Sequence, residues 1–412
     1  MSKVTLNDIR KAEQVVSSTI IRTPLLSDNR LSHEIGASAF VKAENLQRSG
    51  SFKIRGAYNK ISNLTAEEKA RGVVTGSAGN HAQGVAMAAR LHGIKATIVF
   101  PEFAPLNKIS ATKKQGAEVI LHGATFDEAV AHSKELAEKH GYTYVHAFDD
   151  PLIIAGQGTI GLEIAEDLPD ATVVVVPVGG GGIISGIAIA LKELIPNVRI
   201  VGVQSENCAS VRPSLAAGKP VVADYRSTIA DGIAVKRPGE LTLPIVSKLV
   251  DEIVEVSDDE IARGIYHGVQ NNRLVVEGAG AAGLAALLAG KVKVKAEDKV
   301  CAVLCGGNID ANLLNRVIEQ SLVKEGRYIM LKVLVPDRPG NLADILRVVA
   351  EAGGNVIEVF HRRSIWLAPL GSVGIEMLLE IRDDEHGRQV ESHLTSAGYH
   401  VERHRADEWN KN

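Results

Sequence analysis

Five short runs of the chain are dominated by apolar, mostly β-branched residues: KATIVF (95–100), AEVILH (117–122), TVVVVPV (172–178), VRIVGVQ (198–204) and KVCAVL (299–304). Near-continuous apolar strands are needed where helices cover both faces of a parallel sheet. Segments with a helical period separate them, so strand and helix alternate from about residue 15 to about 320, which predicts an α/β architecture. The residues around 40–150 and around 155–320 each supply enough elements for a compact lobe, so two parallel sheets are expected, with the small lobe inserted in the large one. In SGSFKIRGA (49–57) and the residues after it, Ile54, Ala57, Tyr58 and Ile61 recur at i, i+3, i+4 and i+7. That spacing predicts an amphipathic helix with Ser49 or Ser51 as its N-cap and Lys53 in its first turn.

The pattern restarts after the polar stretch SLVKEGR (321–327). YIMLKVLVPD reads as a strand, NLADILRVVAEAGG as a helix closed by glycines, and NVIEVFHRR as a second strand. VGIEMLLEIRD, EHGRQVESHLTSAG and YHVERH follow as strand, helix and strand. The order β-α-β-β-α-β is that of a ferredoxin-like α+β module. The expected organisation is a domain over 1–320, a linker over 321–327 and a second domain over 328–412.

Of 412 residues, 45% are apolar, enough for large cores. Lys and Arg number 46 against 49 Asp and Glu, a net charge of −3 with no long run of one sign, so neither a nucleic-acid footprint nor a polybasic membrane patch is indicated. The N-terminal MSKVTLNDIRKAEQVV lacks the apolar core of a signal peptide, and no stretch approaches the ~18 apolar residues of a membrane span. A cytoplasmic protein acting on small molecules is expected. The three cysteines, Cys208, Cys301 and Cys305, form no disulfide framework and lack a matching ligand pair for zinc, so a reducing compartment and no metal are expected.

Four segments carry candidate chemistry. Lys53 would sit where the helix macrodipole disfavours an ammonium group, and a neutral lysine amine is a nucleophile able to form a Schiff base. In TVVVVPVGGGGIISGIAIALKEL (172–194), Gly179, Gly180, Gly181 and Gly182 lie between a strand and a helix. Converging backbone N–H groups and a helix N-terminus make a phosphate cup there, with neither a Walker A lysine nor dinucleotide spacing, which suits a cofactor with one phosphate. GSAGNHAQG (76–84) sets Ser77, Gly79 and Asn80 at a helix N-terminus suited to a carboxylate; an ordinary cap by Asn80 serves the same pattern. CAVLCGGN (301–308) ends a strand in Cys305, either a small buried hydrophobe or a ligand contact at the carboxyl end of a sheet.

In this order, SFKIRGA, GSAGNHAQG, GQGTIGLEI (156–164), GGGG, TIADGIAV (228–235) and CGGN resemble the fold type II (tryptophan synthase β-like) pyridoxal 5'-phosphate enzymes, and among them the threonine and serine dehydratases. The resemblance runs from about residue 5 to about 320 and implies a two-lobed parallel-sheet domain. The C-terminal module, with VPDRPGNLADIL (335–346), resembles an ACT domain. What the resemblance implies is a threonine ammonia-lyase in which Lys53 holds pyridoxal phosphate as a Schiff base and Phe52 lies beside its ring. Asn80 would contact the 3-hydroxyl, and Gly179, Gly180, Gly181, Gly182 and Ile183 would hold the phosphate. Cys305 would face the pyridine nitrogen where many relatives have serine, and Ser77, Ala78, Gly79, Asn80 and His81 would surround the substrate. Lys53 would then remove the α-proton and the β-hydroxyl would leave, giving 2-oxobutanoate and ammonia from L-threonine, or pyruvate from L-serine.

Two positions depart from related sequences. Ala78 stands where serine racemases of this fold have a second serine, which weakens any racemisation. Gln204 stands where many relatives have a glutamate near a cation site, and no bound cation is expected. Serine and 3-hydroxyaspartate are the alternative substrates. A non-catalytic amino-acid sensor is the alternative of another class, and retention of Lys53 argues against it. By analogy with ACT domains, an amino-acid effector, chiefly isoleucine, is expected at Pro339, Gly340, Asn341 and Leu342. A homodimer or homotetramer is expected on general grounds.

Overall fold

The computed structural model describes residues 4–104, 106–362 and 370–404. It divides into two compact units, 1–310 and 311–412. Helix Ala311–Lys324 belongs to the second unit and runs through the first four residues of the stretch 321–327 expected as a linker. Ser321 on this helix is buried and donates to Val317 O at 2.8 Å, so the polar composition there is that of a helix rather than of free chain.

The first unit holds two sheets. The larger has the order Leu25–Ser27, Ser38–Lys42, Lys299–Val303, Val173–Pro177, Arg199–Ser205, Glu252–Val256, with every pair parallel except the first. The smaller is wholly parallel: Glu118–Leu121, Ala96–Phe100, Val73–Gly76, Thr143–Tyr144. All five apolar runs are strands within a residue or two of their expected ends. The small lobe begins later than residue 40, because Ser38–Lys42 pairs with Lys299–Val303 at the centre of the large sheet.

Helices Pro151–Asp167 and Gly182–Leu194 are buried along most of their length. They touch backbone to backbone: a Cβ on Gly186 would lie 2.4 Å from Ile154 O. Pro151 opens the first of them at the position where its missing N–H is no loss, and Asp150 caps it through Leu152 N and Ile153 N. Helix Lys53–Ser62 crosses it at Gly56 and Gly156, whose own ideal Cβ would come 2.7 Å from Gly56 Cα. These close crossings fix Lys53 against the interior of the unit.

The second unit carries a four-stranded antiparallel sheet in the order Asn355–Arg362, Ser372–Glu380, Tyr328–Pro336, His400–His404. Helices Asn341–Glu351 and Asp384–Ser396 contribute Ile345, Val349, Val390 and Leu394 to its core, which they share with Ile329, Leu331, Val333, Ile375 and Met377. The β-α-β-β-α-β order read from the sequence is the one observed.

Candidate active site

Lys53 is the first residue of its helix, as expected, but neither serine caps it. Phe52 is the N-cap, with helical backbone angles and no capping side chain. Ser49 Oγ donates instead to Ser51 O, and Ser51 lies in an isolated bridge with Gly306. The segment thus serves as a strut to the CGGN loop: Phe52 N donates to Cys305 O (3.1 Å) and Gly307 N to Gly50 O (2.8 Å). Gly50, at φ +71°, leaves room for Asn308, whose Oδ1 would lie 2.3 Å from a Cβ there.

The Lys53 ammonium donates to Ala147 O at 3.1 Å and lies 5.1 Å from the centre of the Phe52 ring. Burial, only partly offset by the neighbouring Cys305 and Glu277, pulls its pKa from 10.5 to about 8. A substantial share of the amine is therefore neutral at mildly alkaline pH. Cys305 is buried and its thiol is pushed well above the usual range by desolvation, so it stands as a neutral S–H.

Gly79, not Asn80, is the N-cap of helix Asn80–Leu91. The Asn80 side chain turns across the unit: Nδ2 donates to Glu277 Oε1 (2.6 Å) and Oδ1 accepts from Asn308 Nδ2 (2.8 Å). Asn308 also donates to Ser49 O (2.8 Å). The CGGN, SFK and NH segments, far apart in sequence, therefore meet through side-chain amides. Gly79 N donates to Ser77 Oγ (3.3 Å), which shapes the loop that contains Ala78. His81 is buried and bonded through Nε2 to Val145 O (2.9 Å), so Nε2 carries the hydrogen. Burial lowers its pKa to about 3, leaving the ring neutral.

The loop 179–182 is buried throughout, and the helix after it starts at N-cap Gly181, which sits at φ +96° and offers no capping side chain. A buried helix N-terminus without a side-chain cap leaves N–H donors for a ligand. Phe148 lies against this loop so closely that a Cβ on Gly180 would come 2.4 Å from three of its ring atoms. Thr242 Oγ1 donates to Gly180 O (2.6 Å), and Asp149 accepts from the backbone of Glu240, Leu241 and Thr242. The turn 147–149 thus touches both the Lys53 amine and the glycine loop. Ile233 and Val235, from the TIADGIAV segment, pack against Gly179.

A family model described as pyridoxal-phosphate dependent enzyme matches residues 16–306. The chain belongs to the pyridoxal-phosphate dependent enzymes. An L-threonine ammonia-lyase of Thermotoga maritima is 51% identical over 398 residues, covering 97% of this chain and 99% of that protein. Among solved structures, the processed form of threonine deaminase isoform 2 from Solanum lycopersicum has a TM-score of 0.73 at 42% identity, covering 76% of this chain and 86% of that one. Maize serine racemase has a TM-score of 0.73 at 36% identity, covering 78% and 98%.

The residues present fit the family's cofactor. An amine of lowered pKa, a buried uncapped helix start that admits no side chain at Gly180, and an amide hydrogen on Asn80 with no protein acceptor among the described residues match an aldehyde, a phosphate and a ring hydroxyl in turn. Gln204 is fully buried, with Oε1 accepting from Val211 N (2.9 Å) and Nε2 donating to Val178 O (3.4 Å).

Glu277, Phe148, Asp149 and Asn308 were not singled out from the sequence, although Asn308 lies inside CGGN. Glu277 had one visible signal, an acidic residue within the apolar, glycine-rich stretch VVEGAGAAGLAALL. In the second unit, the expected effector residues lie where strand Tyr328–Pro336 turns into helix Asn341–Glu351. Gly340 is that helix's N-cap at φ +102°, and Asn341 Nδ2 donates to Pro336 O (2.6 Å).

Proposed function

We propose that the chain is a threonine ammonia-lyase that converts L-threonine to 2-oxobutanoate and ammonia, and L-serine to pyruvate. The observation that carries the reading is the part-buried Lys53 amine, linked to the glycine loop through the turn 147–149 and with its pKa drawn down to about 8 by desolvation, in a chain whose relative of nearly equal length is named for this activity.

Pyridoxal phosphate, when bound, supplies a carbonyl that condenses with amines and a conjugated ring that takes up the electron pair left when the Cα–H bond breaks. Lys53 both anchors the cofactor and, once displaced by the substrate's amine, accepts the α-proton at Nζ. Gly179 to Gly182 and the N–H of Ile183 hold the phosphate. Asn80 holds the ring oxygen, and Cys305, as a neutral thiol, contacts the ring nitrogen without adding charge. The start of helix Asn80–Leu91, with Ser77 and Gly79, holds the substrate carboxylate. Ala78 has no group to pass a proton to the opposite face, so loss of the β-hydroxyl as water outruns racemisation, and the released enamine hydrolyses to the 2-oxo acid and ammonia.

The second unit is an ACT-like module over 328–412 that binds a branched-chain amino acid, chiefly isoleucine, at Pro339 to Leu342, in a cytoplasmic homodimer or homotetramer. Its support is the ferredoxin-like strand order and the uncapped helix start at Gly340.

Release of 2-oxobutanoate from L-threonine, with Lys53→Ala alongside, tests the catalytic reading. Turnover by the parent and none by the variant is expected. A yellow parent inert toward threonine overturns the substrate, and serine and 3-hydroxyaspartate are then tried. Isoleucine that shifts neither threonine kinetics nor thermal stability overturns the regulatory reading.

A further inference from the structure

Glu277 is a buried carboxyl group in the site to which the reaction above gives no task. It occupies the N-cap of helix Gly278–Leu288 but makes no capping bond to it. Its backbone N–H donates to Gly306 O (3.0 Å), and its Oε1 accepts from Asn80 Nδ2 at 2.6 Å, shorter than an ordinary N–H···O bond. The residue is only 5% exposed, and Oε2 has no protein partner among the described residues. Space for it exists because position 306 is glycine: a Cβ there would lie 2.2 Å from Glu277 Oε1 and 3.1 Å from Asn80 Nδ2.

Burying a carboxyl with no cation in contact is costly, and a glutamine of the same shape would fill the space more cheaply. What a carboxylate does that an amide does not is accept only. The Asn80 amide has two orientations of nearly equal shape. Asn308 Nδ2 donates to its oxygen from one side, and Glu277 accepts from its nitrogen on the other. With both neighbours in place one orientation remains, and it leaves the second hydrogen of Asn80 Nδ2 free to reach a ligand.

We propose that Glu277 is a positioning residue of the cofactor site, acting through Asn80, whose amide it holds in the orientation that donates to the bound cofactor. This deepens the functional reading above and rests on it for the placement of Asn80 against the cofactor. The charged and titratable groups around Glu277 are Asp231, Lys108, Lys53 and Cys305. Burial, reinforced by Asp231, raises its pKa to about 7. The strength of the Asn80 contact therefore varies across neutral pH, increasing as the carboxyl ionises.

The test is the binding of pyridoxal phosphate to resolved apoenzyme, read by visible absorption, for the parent, N80A, E277L, N80A/E277L and E277Q. Loss of one such contact weakens binding about tenfold or more in each of N80A and E277L. Because both act through one amide, the double variant falls within about twofold of the weaker single. E277Q, whose amide can present an acceptor or a donor to Asn80 and so fixes its orientation less well, binds more weakly than the parent and more tightly than E277L at a fixed pH. The bound cofactor's spectrum shifts between about pH 6 and 8 in the parent and not in E277Q. Losses that multiply, an E277L that binds like the parent, or an E277Q that retains the spectral shift would each overturn the proposal. If circular dichroism shows E277L unfolded, the E277Q spectrum decides. Threonine turnover enters none of these readouts, so a failed assay for 2-oxobutanoate leaves them standing.

Discussion

Arg55, two residues after Lys53 and fully buried, offers the sharpest test of what holds the catalytic helix in place. Its guanidinium donates to both oxygens of Glu44 (2.8 and 2.7 Å), both oxygens of Glu163 (2.7 and 2.9 Å) and Thr159 Oγ1 (3.0 Å). Lys42, also buried, pairs with Glu163 at 2.5 Å and donates to Thr23 O at 2.6 Å. Two cations thus balance two buried carboxylates, and the planar fork of Arg55 satisfies both in a way a lysine could not. Arg55→Met fills the volume but leaves two carboxylates to one lysine. Breaking a buried set in this way costs about 3–5 kcal/mol, against a total stability of about 5–15 kcal/mol. At about 2 °C per kcal/mol, the value suited to a large domain, the holoenzyme midpoint in circular dichroism falls by about 6–10 °C. Adding Glu44→Gln to Arg55→Met removes the uncompensated charge and recovers part of the loss. An Arg55→Met variant melting within about 2 °C of the parent, equivalent to about 1 kcal/mol, would refute the claim that this cluster braces the helix carrying Lys53.

Other expectations concern the cofactor site. Gly180→Ala puts a methyl group 2.4 Å from the Phe148 ring; reconstitution of the apoenzyme with pyridoxal phosphate should weaken by about tenfold or more, and unchanged affinity would show that the loop can give way. Gly181→Ala adds strain at φ +96° and a contact of 2.8 Å with Thr242, with the same readout and the same direction. Because the folded Lys53 pKa is lowered from 10.5 to about 8, the unfolded chain binds the extra proton between those values, so this group's contribution to stability rises with pH across about 8 to 10.5. Apoenzyme of Lys53→Met should therefore be more stable than the parent near pH 7, with the gap closing toward pH 10 in thermal melts. A gap that stays constant would mean the amine is not desolvated.

Much of the fold could be read locally. Unbroken runs such as TVVVVPV announce a strand covered on both faces, and the alternation in YIMLKVLVP announces one covered on a single face, because burial acts on each side chain where it stands. The glycine loop and Lys53 were legible for a similar reason, since their roles depend on backbone and charge within a few residues. Where the small lobe begins was not legible, because the strand Ser38–Lys42 finds its partner Lys299–Val303 more than 250 residues away. The expected caps at Ser49 and Ser51 fail for the same reason, and so does the capping alternative at Asn80: each has the chemistry of a cap, but a distant segment competes for the loop. Ser51 is drawn into a bridge with Gly306, and the Asn80 side chain is fixed by Asn308 and Glu277. The chain by itself thus determined which residues could do the chemistry and which strands would be buried. Only the tertiary structure decided that Glu277, Asn308, Phe148 and Arg55 surround or brace Lys53, because hydrogen bonds and charge pairing between separate segments leave no period in the sequence.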